Sequence, residues 1–532
     1  MKYLDLYGKQ LIEELLAYAI KNSLVKEADI DFTRNRLLEH LGLDEPLDNL
    51  EQAEAIQVPE YPYSILNKIL DYSYNKGILK ENTLTYRDLL DTKIMGVFMP
   101  RPSEIEDTYY QLMKQEGARA ATEYFYKLCL KSNYIRMERI MKNIKWTCDS
   151  PYGQLEITIN MTKPEKDPKE IAALRKAKQT GYPKCMLCIE NVGYAGRLNF
   201  PARQTLRTVP VSLNKEKWHL QYSPYVYYRE HCIVLSQKHV PMKLSRDTFV
   251  RLFDFLDLHP HYFIGSNADL PIVGGSILNH DHFQGGNYVF PMEKAGIEYK
   301  LIHDSLDGIQ AGVVNWPMSV IRLSSYDREI LIDIANHILV KWRDYEDKEA
   351  EIIPYSTEKG GQAVAHNTIT PIARKNKEAA YELDLVLRNN RTNDEHPLGI
   401  FHPHKDLHHI KKENIGLIEV MGLFILPSRL NQELGQIKAY LTGEKTSTVD
   451  LAKDDHPLNH HYPWIKYLLE KHGSSNDNGQ AEDIIRAEVG QKCQRVLSDA
   501  GVFKTDNKGR QAFNKFLASC GLRPEKSKQK VL

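Results

Sequence analysis

A histidine-rich segment near the middle of the chain carries residue types suited to chemistry at phosphorus. His280, His282 and Gln284 occupy alternate positions. In an extended strand, side chains two residues apart point to the same face. We therefore expect the carbonyl group of His280 to accept the Nδ1 proton of His282, which leaves Nε2 as a lone pair for attack on phosphorus. Gln284 can then donate a hydrogen bond to a phosphoryl oxygen.

Glycines flank this segment, with Gly274-Gly275 before it and Gly285-Gly286 after it. Because glycine has no Cβ, a phosphate group can approach the backbone closely at these positions. An isolated His-x-His pattern more often marks core or metal-binding histidines. The glycines and the glutamine favour a nucleophile here, whereas Asp281 points to the opposite face and is not expected to be a base.

A pair of cysteines predicts a structural zinc site. Cys185 and Cys188 are three positions apart, a spacing that places two thiolates at the separation tetrahedral zinc requires. A second Cys-x-x-Cys pair is missing from the sequence, so the remaining ligands must be histidines, and His239 and His280 are the leading candidates. The alternatives are two reduced core cysteines or a redox pair. We expect no organic cofactor.

Three arginines follow the cysteine pair closely: Arg197, Arg203 and Arg207. Their forked guanidinium groups can hold a diphosphate or a sugar phosphate through charge-assisted hydrogen bonds. For any single one of them, a surface salt bridge is the simpler role. The histidine pairs His408-His409 and His460-His461 are interpreted as solvent-facing or capping residues.

Composition narrows the function further. The 532 residues include 70 Lys plus Arg and 70 Asp plus Glu, so the formal net charge is zero and global attraction of nucleic acid or an anionic membrane is not expected. No stretch approaches the roughly 20 apolar residues of a spanning helix, and the first residues do not resemble a secretory signal. The number of cysteines is odd, at seven, and only Cys185 and Cys188 are close together, which favours a reducing, cytoplasmic location.

The pattern along the chain predicts an α+β protein with four parts: residues 1–148 as a helical N-terminal domain, 149–310 as a first α+β half, 311–480 as a second half, and 481–532 as a helical C-terminal extension. The order strand, capped helix, strand, His-x-His occurs twice, which predicts two related halves with antiparallel sheets and packed helices. Ser245 is expected to cap the helix of the first half, and Ser324 or Ser325 that of the second.

The residues around the histidine segment also carry a family resemblance. Asp269-Leu270-Pro271-Ile272-Val273-Gly274-Gly275-Ser276 followed by His280-Asp281-His282-Phe283-Gln284-Gly285-Gly286 closely resembles the signature of the class II bacterial galactose-1-phosphate uridylyltransferases. Tyr222-Ser223-Pro224-Tyr225, His239 and His402-Pro403-His404 agree with it. The resemblance covers roughly residues 150 to 480, and a helical N-terminal segment is typical of this branch.

This resemblance implies a homodimeric enzyme with histidine-triad-like halves and a ping-pong exchange. UDP-glucose gives its uridylyl group to His282 and releases glucose 1-phosphate, and galactose 1-phosphate then attacks the adduct to form UDP-galactose. The same resemblance places uridine and phosphate contacts near Asn267, Gly275, Ser276 and Gln284.

The better-studied class I branch differs from this chain at two points. It binds zinc through two cysteines and two histidines, which correspond to Cys185, Cys188, His239 and His280, but it has proline at the position of Asp281. It also has a second metal site made of a glutamate and three histidines. The nearest counterparts here are Glu298, His366, His402 and His404, of which only the His-x-His pair aligns well.

Two other functions are compatible with the same residues. A histidine-triad-like nucleotide hydrolase or phosphorylase would use water or phosphate as the second acceptor. A zinc-stabilised binding or scaffold protein would have no turnover, and replacement of His282 would then leave its role intact.

Overall fold

The structure is a computed structural model that describes residues 2–48, 57–162, 180–303, 307–357 and 361–525. These residues form a mixture of helices and largely antiparallel sheets, so the predicted α+β class is confirmed. The chain divides into two compact units. The first comprises Met1–Lys142 and Pro164–Val240, and the second comprises Asn143–Lys163 and Pro241–Leu532.

Helices dominate the N-terminal part of the first unit. The apolar face of the first helix is buried, with Leu11, Leu15 and Tyr18 all fully inaccessible. The helices are Lys2–Lys21, Ile30–Leu41, Tyr63–Asn75, Leu84–Gly96, Pro102–Gln115, Ala118–Lys131 and Met137–Ile140, with 3-10 turns at Glu27–Asp29 and Ile189–Asn191.

The helical pattern ends earlier than the sequence predicts. The helix Ala118–Lys131 stops before Asn133, which has a left-handed backbone (φ 56°) that ends a helix. After a single turn at Met137–Ile140, the strand Ile144–Ser150 begins in the second unit. The apolar residues from 135 to 144 therefore belong to different elements, a short helical turn and the start of a strand.

The first unit also contains three antiparallel strands, in the order Val209–Leu213, Glu216–Tyr222, Cys232–Ser236. Two tyrosines connect them to the helices. The hydroxyl group of Tyr134 donates to the carbonyl oxygen of Tyr222 at 3.0 Å. The hydroxyl group of Tyr222 donates in turn to the carbonyl oxygen of Thr122 at 2.9 Å.

The second unit contains a small sheet, a large sheet and a hairpin. In the small sheet, Gly153–Asn160 lies between antiparallel Ile144–Ser150 and parallel Leu423–Pro427. The hairpin pairs Tyr355–Thr357 with Ala363–Ala365. The strands of the large sheet run in the spatial order Leu522–Pro524, Ile297–His303, Gln310–Val314, Val320–Ser325, Tyr381–Asn389, Asn367–Lys375, Phe263–Gly265, His282–Gly286.

Two long helices of the second unit begin at residues whose side chains cap them. Ser245 forms a capping box with Thr248, as predicted. The other predicted cap is wrong, because Ser324 and Ser325 end a strand and the Asp327 side chain instead accepts from the Glu329 N–H at 2.8 Å. The helices are Arg246–Leu258, Pro291–Lys294, Arg328–Arg343, Leu417–Val420, Arg429–Leu441, Tyr462–His472, Asn478–Ala500 and Asn507–Ser519, with 3-10 turns at Lys405–Leu407, Asp450–Ala452 and Asn459–His461.

Two of these helices cover the large sheet next to the histidine segment. Arg246–Leu258 and Arg328–Arg343 both pack against the strand Asn367–Lys375. Trp342 is fully buried at this contact, and its Nε1 donates to the carbonyl oxygen of Thr368 at 2.8 Å. No helix in the described ranges has the length and apolar character needed to span a bilayer.

A buried ion network joins the central strands of the large sheet. The guanidinium group of Arg322 donates to both oxygens of Asp384 at 2.7 and 2.9 Å. Arg374 pairs with Asp384 at 2.9 Å and also contacts Glu382. Burial alone would raise the pKa of Asp384, but the guanidinium groups of Arg374 and Arg322 lower it.

We expect Asp384→Asn to destabilise the second unit by about 3–5 kcal/mol, because two buried guanidinium groups lose their shared counter-charge. Because the folded-state pKa of Asp384 is lowered, its contribution is present above its unfolded pKa of roughly 4 and is lost as the pH falls through the folded-state value. The difference in free energy of unfolding between variant and parent should therefore become smaller at acid pH. Urea denaturation at several pH values measures it.

Asp333→Asn is the matched control, because Asp333 pairs with Arg246 at 2.9 Å on an exposed surface. Such a pair contributes at most about 1 kcal/mol. Equal effects of the two substitutions would contradict a special role for the buried network.

Candidate active site

The histidine segment forms a short strand of the large sheet in the second unit. The strand His282–Gly286 pairs antiparallel with Phe263–Gly265, and Gln284 lies opposite Gly265. The predicted extended geometry is thus confirmed from His282 onward, whereas His280 precedes the strand in a bend. Because His282 and Gln284 are two residues apart in one strand, their side chains share a face.

The orientation of the His282 ring is fixed by its own backbone. Its Nδ1 lies 2.8 Å from the carbonyl oxygen of His280. Because a carbonyl oxygen can only accept, Nδ1 carries the proton and Nε2 carries the lone pair. This is the arrangement that the sequence predicts.

The His282 ring is also buried, with 5% of its surface exposed. Burial lowers the pKa of His282 to about 4, although the hydrogen bond from Nδ1 to the His280 carbonyl opposes that shift. The imidazole is therefore neutral at neutral pH, as a nitrogen nucleophile must be.

The Gly274-Gly275 turn is explained by close backbone packing. A Cβ atom on Gly274 would lie 2.4 Å from the carbonyl oxygen of Ala268 and 2.6 Å from that of Leu270. A Cβ atom on Gly275 would lie 2.8 Å from Nδ2 of Asn267. Both glycines are therefore needed where the two ends of the segment from Asn267 to Gly275 meet.

Asn267 is held so that its amide group faces this turn. It is 3% exposed, and its Oδ1 accepts the N–H of Leu417 at 2.9 Å. Since Oδ1 is engaged there, Nδ2 is directed to Gly275. Of the other predicted contact residues, Gly275 is half-buried and Ser276 is exposed.

Side chains that sequence reasoning did not select hold this segment in place. Asp269 accepts from the Thr368 hydroxyl at 2.6 Å and from the Leu244 N–H at 2.9 Å. Nδ2 of Asn390 donates to the carbonyl oxygen of Pro271 at 3.2 Å. Within the segment, Ile272 has φ 71°, a conformation that a β-branched residue adopts only under constraint. Asp269 is the first residue of the family signature quoted above, and this position is the sequence feature that could have identified it as important.

Three predicted zinc ligands lie together in the first unit. The two Sγ atoms of Cys185 and Cys188 are 3.5 Å apart, and Cys188 Sγ is 3.1 Å from Nδ1 of His239. The Asn191 side chain donates to the carbonyl oxygens of Cys185 and Cys188, each at 2.8 Å, which fixes the turn. The separations suit tetrahedral zinc with bonds of about 2.0–2.3 Å. The fourth predicted ligand, His280, belongs to the second unit and is 1% exposed.

The three arginines differ in their surroundings. Arg197 donates to Asn199 Oδ1 at 2.8 Å and to the Tyr194 hydroxyl at 2.7 Å. Arg207 is buried and donates to three backbone carbonyl oxygens, and burial lowers its pKa to about 10. Arg203, in contrast, has a buried Nε that makes no hydrogen bond in the described part of the chain.

The counterparts of a second class I metal site are not assembled. Both ring nitrogens of His366 are engaged, one by Asn390 Oδ1 at 2.8 Å and the other by Ser356 Oγ at 2.7 Å. Glu298 pairs with Arg510 at 2.5 Å. Among the described residues, the groups able to hold a metal include none of Glu298, His366, His402 or His404.

The remaining histidine pairs agree with expectation only in part, since His460 is exposed as predicted. His409 and His461 were predicted to face solvent or to cap, yet both are buried, His461 completely. Their rings contact each other, with 2.6 Å between the two Nδ1 atoms. Because the two histidines are 52 positions apart in the sequence, no local sequence pattern predicts this contact.

The chain is similar to known proteins over nearly its full length. The sequence models of the galactose-1-phosphate uridyl transferase N-terminal and C-terminal domains match residues 23–241 and 255–456. A galactose-1-phosphate uridylyltransferase from Caldanaerobacter subterraneus subsp. tengcongensis is 55% identical, covering 96% of this chain and 98% of that protein. One from Bacillus subtilis is 47% identical, covering 97% and 98% respectively. A likeness to yeast Ap4A phosphorylase Apa2 is too weak to use (TM-score 0.30, 11% identity, covering 63% of this chain and 89% of that chain).

The matches over nearly the full length place the chain among the nucleotidyltransferases, the class of enzyme that the histidine strand predicts. Within that class, it belongs to the galactose-1-phosphate uridylyltransferase family of galactose metabolism. The family resemblance read from the signature is thus confirmed.

We expect Gly274→Ala to disrupt the active-site segment, because the added Cβ would collide with backbone carbonyl oxygens that cannot move independently. Turnover and the melting temperature should both fall. Gly296→Ala is the control, since a Cβ there meets no atom within 4 Å. Similar losses in both variants would show that the close packing at Gly274 is not limiting.

Proposed function

We propose that this protein transfers a uridylyl group from UDP-glucose to galactose 1-phosphate by a ping-pong mechanism with His282 as the nucleophile. The observation that carries the proposal is the 2.8 Å contact between His282 Nδ1 and the His280 carbonyl oxygen, which leaves Nε2 unprotonated. Membership in the galactose-1-phosphate uridylyltransferase family supports the choice of substrates.

In the first half-reaction, Nε2 attacks the α-phosphorus of UDP-glucose. A nitrogen–phosphorus bond forms, the bond from that phosphorus to the bridging oxygen breaks, and glucose 1-phosphate leaves with the electron pair. The imidazole ring becomes cationic, and the His280 carbonyl oxygen stabilises it through the Nδ1 proton. In the second half-reaction, a phosphate oxygen of galactose 1-phosphate attacks, the nitrogen–phosphorus bond breaks, and UDP-galactose forms.

Gln284 is proposed to stabilise the charge that develops on the phosphoryl oxygens, because it shares a strand face with His282. The amide Nδ2 of Asn267, the backbone of Gly275 and the hydroxyl group of Ser276 are proposed to bind the nucleotide phosphates. Among the arginines, Arg203 is the best candidate for a phosphate contact, because its buried Nε has no partner in the described ranges.

A structural zinc ion held by Cys185, Cys188, His239 and His280 is part of the proposal. The Sγ and Nδ1 separations of 3.1 and 3.5 Å within the first unit support the first three ligands. A zinc ion there would require thiolates, although burial raises the pKa of Cys188 to about 11 in the absence of a cation.

The finer architecture is proposed on the same basis. Two related histidine-triad-like halves are supported within the second unit, where the helices Arg246–Leu258 and Arg328–Arg343 are each followed by strands of the large sheet. The domain limits at residues 148, 310 and 480 and a homodimer are further parts of this proposal. Light scattering of the purified chain tests the dimer, and a monomer would contradict it.

We expect His282→Asn to lower turnover by about 10³-fold or more while the melting temperature stays close to that of the parent. Brief incubation of the parent with UDP-glucose should give an acid-labile UMP adduct on the peptide containing His282. The adduct should be missing from the variant, and His337→Asn, which changes an exposed helix residue, should retain it. Hydrolysis of UDP-glucose without an adduct or transfer would contradict the mechanism.

Asn267→Asp separates substrate binding from folding. An aspartate keeps the acceptor for the Leu417 N–H but replaces the Nδ2 donor at Gly275 with an anionic oxygen. We expect kcat/KM for UDP-glucose to fall by about 10–100-fold, since a charge-assisted hydrogen bond becomes a repulsion. Circular dichroism should show retained folding, and an unchanged kcat/KM would remove Asn267 from the phosphate site.

A further inference from the structure

A cluster of side chains of types that can bind a metal lies in the second unit and has no role in the proposed transfer reaction. This histidine cluster consists of His409, Glu433, His460 and His461. Oε2 of Glu433 is 3.0 Å from Nε2 of His461, and Oε1 is 3.5 Å from Nε2 of His460. Ligand atoms of Glu433, His460 and His461 all lie within 4.8 Å of one another.

Three separate elements supply these side chains. Glu433 lies in the helix Arg429–Leu441, and His460 and His461 lie in the 3-10 turn Asn459–His461. His409 comes from the loop after Lys405–Leu407. Convergence of groups from distant parts of the sequence on one point is typical of metal sites.

We propose that Glu433, His460 and His461 bind a divalent transition-metal cation, with zinc as the expected ion. Tetrahedral zinc with bonds of about 2.0–2.1 Å to nitrogen and oxygen holds its ligand atoms about 3.3 Å apart. The observed 3.0 and 3.5 Å separations bracket that value. Two imidazoles and one carboxylate are donors that zinc accepts.

The surroundings of the cluster supply the outer contacts that such sites use. Nδ1 of His461 is 2.6 Å from Nδ1 of His409, so one ring donates and the other accepts. Without a cation, Nε2 of His461 donates to the Glu433 carboxylate at 3.0 Å, and Nδ1 of His461 accepts from His409. A bound cation would replace the proton on Nε2, and His461 would then carry its proton on Nδ1 with His409 as the acceptor, which is the usual arrangement for a ligating histidine. The rings of His409 and His461 both lie against Trp464, which restricts their movement.

One residue competes for the same position. Nη1 of Arg429 lies 2.5 Å from Glu433 Oε2 and 3.4 Å from His460 Nε2, so a positive charge already stands beside these ligand atoms. The Arg429 side chain is 31% exposed, and its Nη2 is separately anchored to the carbonyl oxygen of His409. If the guanidinium group turns so that Nη1 moves toward solvent, the space between Glu433 and His460 becomes available to a cation. Nη2 can meanwhile keep its hydrogen bond to the carbonyl oxygen of His409.

The proposed ion would have a structural role. It would join the helix Arg429–Leu441 to the turn that precedes the helix Tyr462–His472. The site contains no sulfur ligand and shares no residue with the cysteine pair, so the two zinc proposals are independent. His460 is 41% exposed, which gives the ion access from solvent.

The test counts zinc in the full-length protein. Each protein is saturated with zinc, and excess metal is removed by dialysis. Inductively coupled plasma mass spectrometry should then show one equivalent less of bound zinc per chain in His460→Asn and in Glu433→Gln than in the parent. His337→Asn removes an exposed histidine outside the cluster and should bind as much zinc as the parent. Because His460 is partly exposed, its replacement leaves the core intact, which circular dichroism checks.

Cobalt substitution distinguishes the two sites. The absorption lost in the cobalt-loaded His460→Asn variant should be of the weak d–d type, without the intense thiolate-to-metal band expected at a cysteine site. Equal zinc content in parent and His460→Asn would overturn the proposal and leave Arg429 as the sole counter-charge of Glu433. Loss of the thiolate band would also overturn it, since the ion removed would then belong to the cysteine pair.

Discussion

The hydrogen bond between Nδ1 of His282 and the carbonyl oxygen of His280 determines what the imidazole can do. At 2.8 Å it holds one tautomer and one ring orientation, and both follow from the two-residue spacing in the sequence. A reversed tautomer would place the proton on Nε2 and remove the lone pair that the proposed nucleophile requires. The surrounding structure must therefore hold the bend at His280 relative to the strand that begins at His282.

The second unit meets this requirement through buried polar contacts that reach across the large sheet. Asp269 and Asn390 tie the segment before the histidines to the strands Asn367–Lys375 and Tyr381–Asn389. Those strands are in turn joined by the buried carboxylate of Asp384 and its two arginines. Because interior packing leaves little room for adjustment, the strained Ile272 and the close approach at Gly274 can persist.

The sequence predicts local features of this site well and distant ones poorly. The His282 tautomer, the Ser245 cap and the grouping of the cysteine pair with His239 were predicted, since each depends on short spacing or on ligand chemistry. The cap at Asp327 was missed because serines adjacent to a strand end imitate a cap. Contacts such as that of His409 with His461 depend on how remote segments meet, and periodicity contains no information about that.

The three arginines show that residue type, like residue spacing, cannot predict which side chains remain available to a ligand. A chain with zero net charge can attract phosphate only through local donors, and composition offers three arginines in one loop. Two of them already make internal hydrogen bonds. Arg207 donates to backbone carbonyl oxygens, and Arg197 donates to Asn199 and Tyr194. Residue type alone cannot distinguish the three arginines, whereas their hydrogen bonds make Arg203 the proposed phosphate contact, because its buried Nε lacks a partner in the described ranges. An unpaired buried donor is costly in the free protein, and a phosphate oxygen is a chemically suitable acceptor for it.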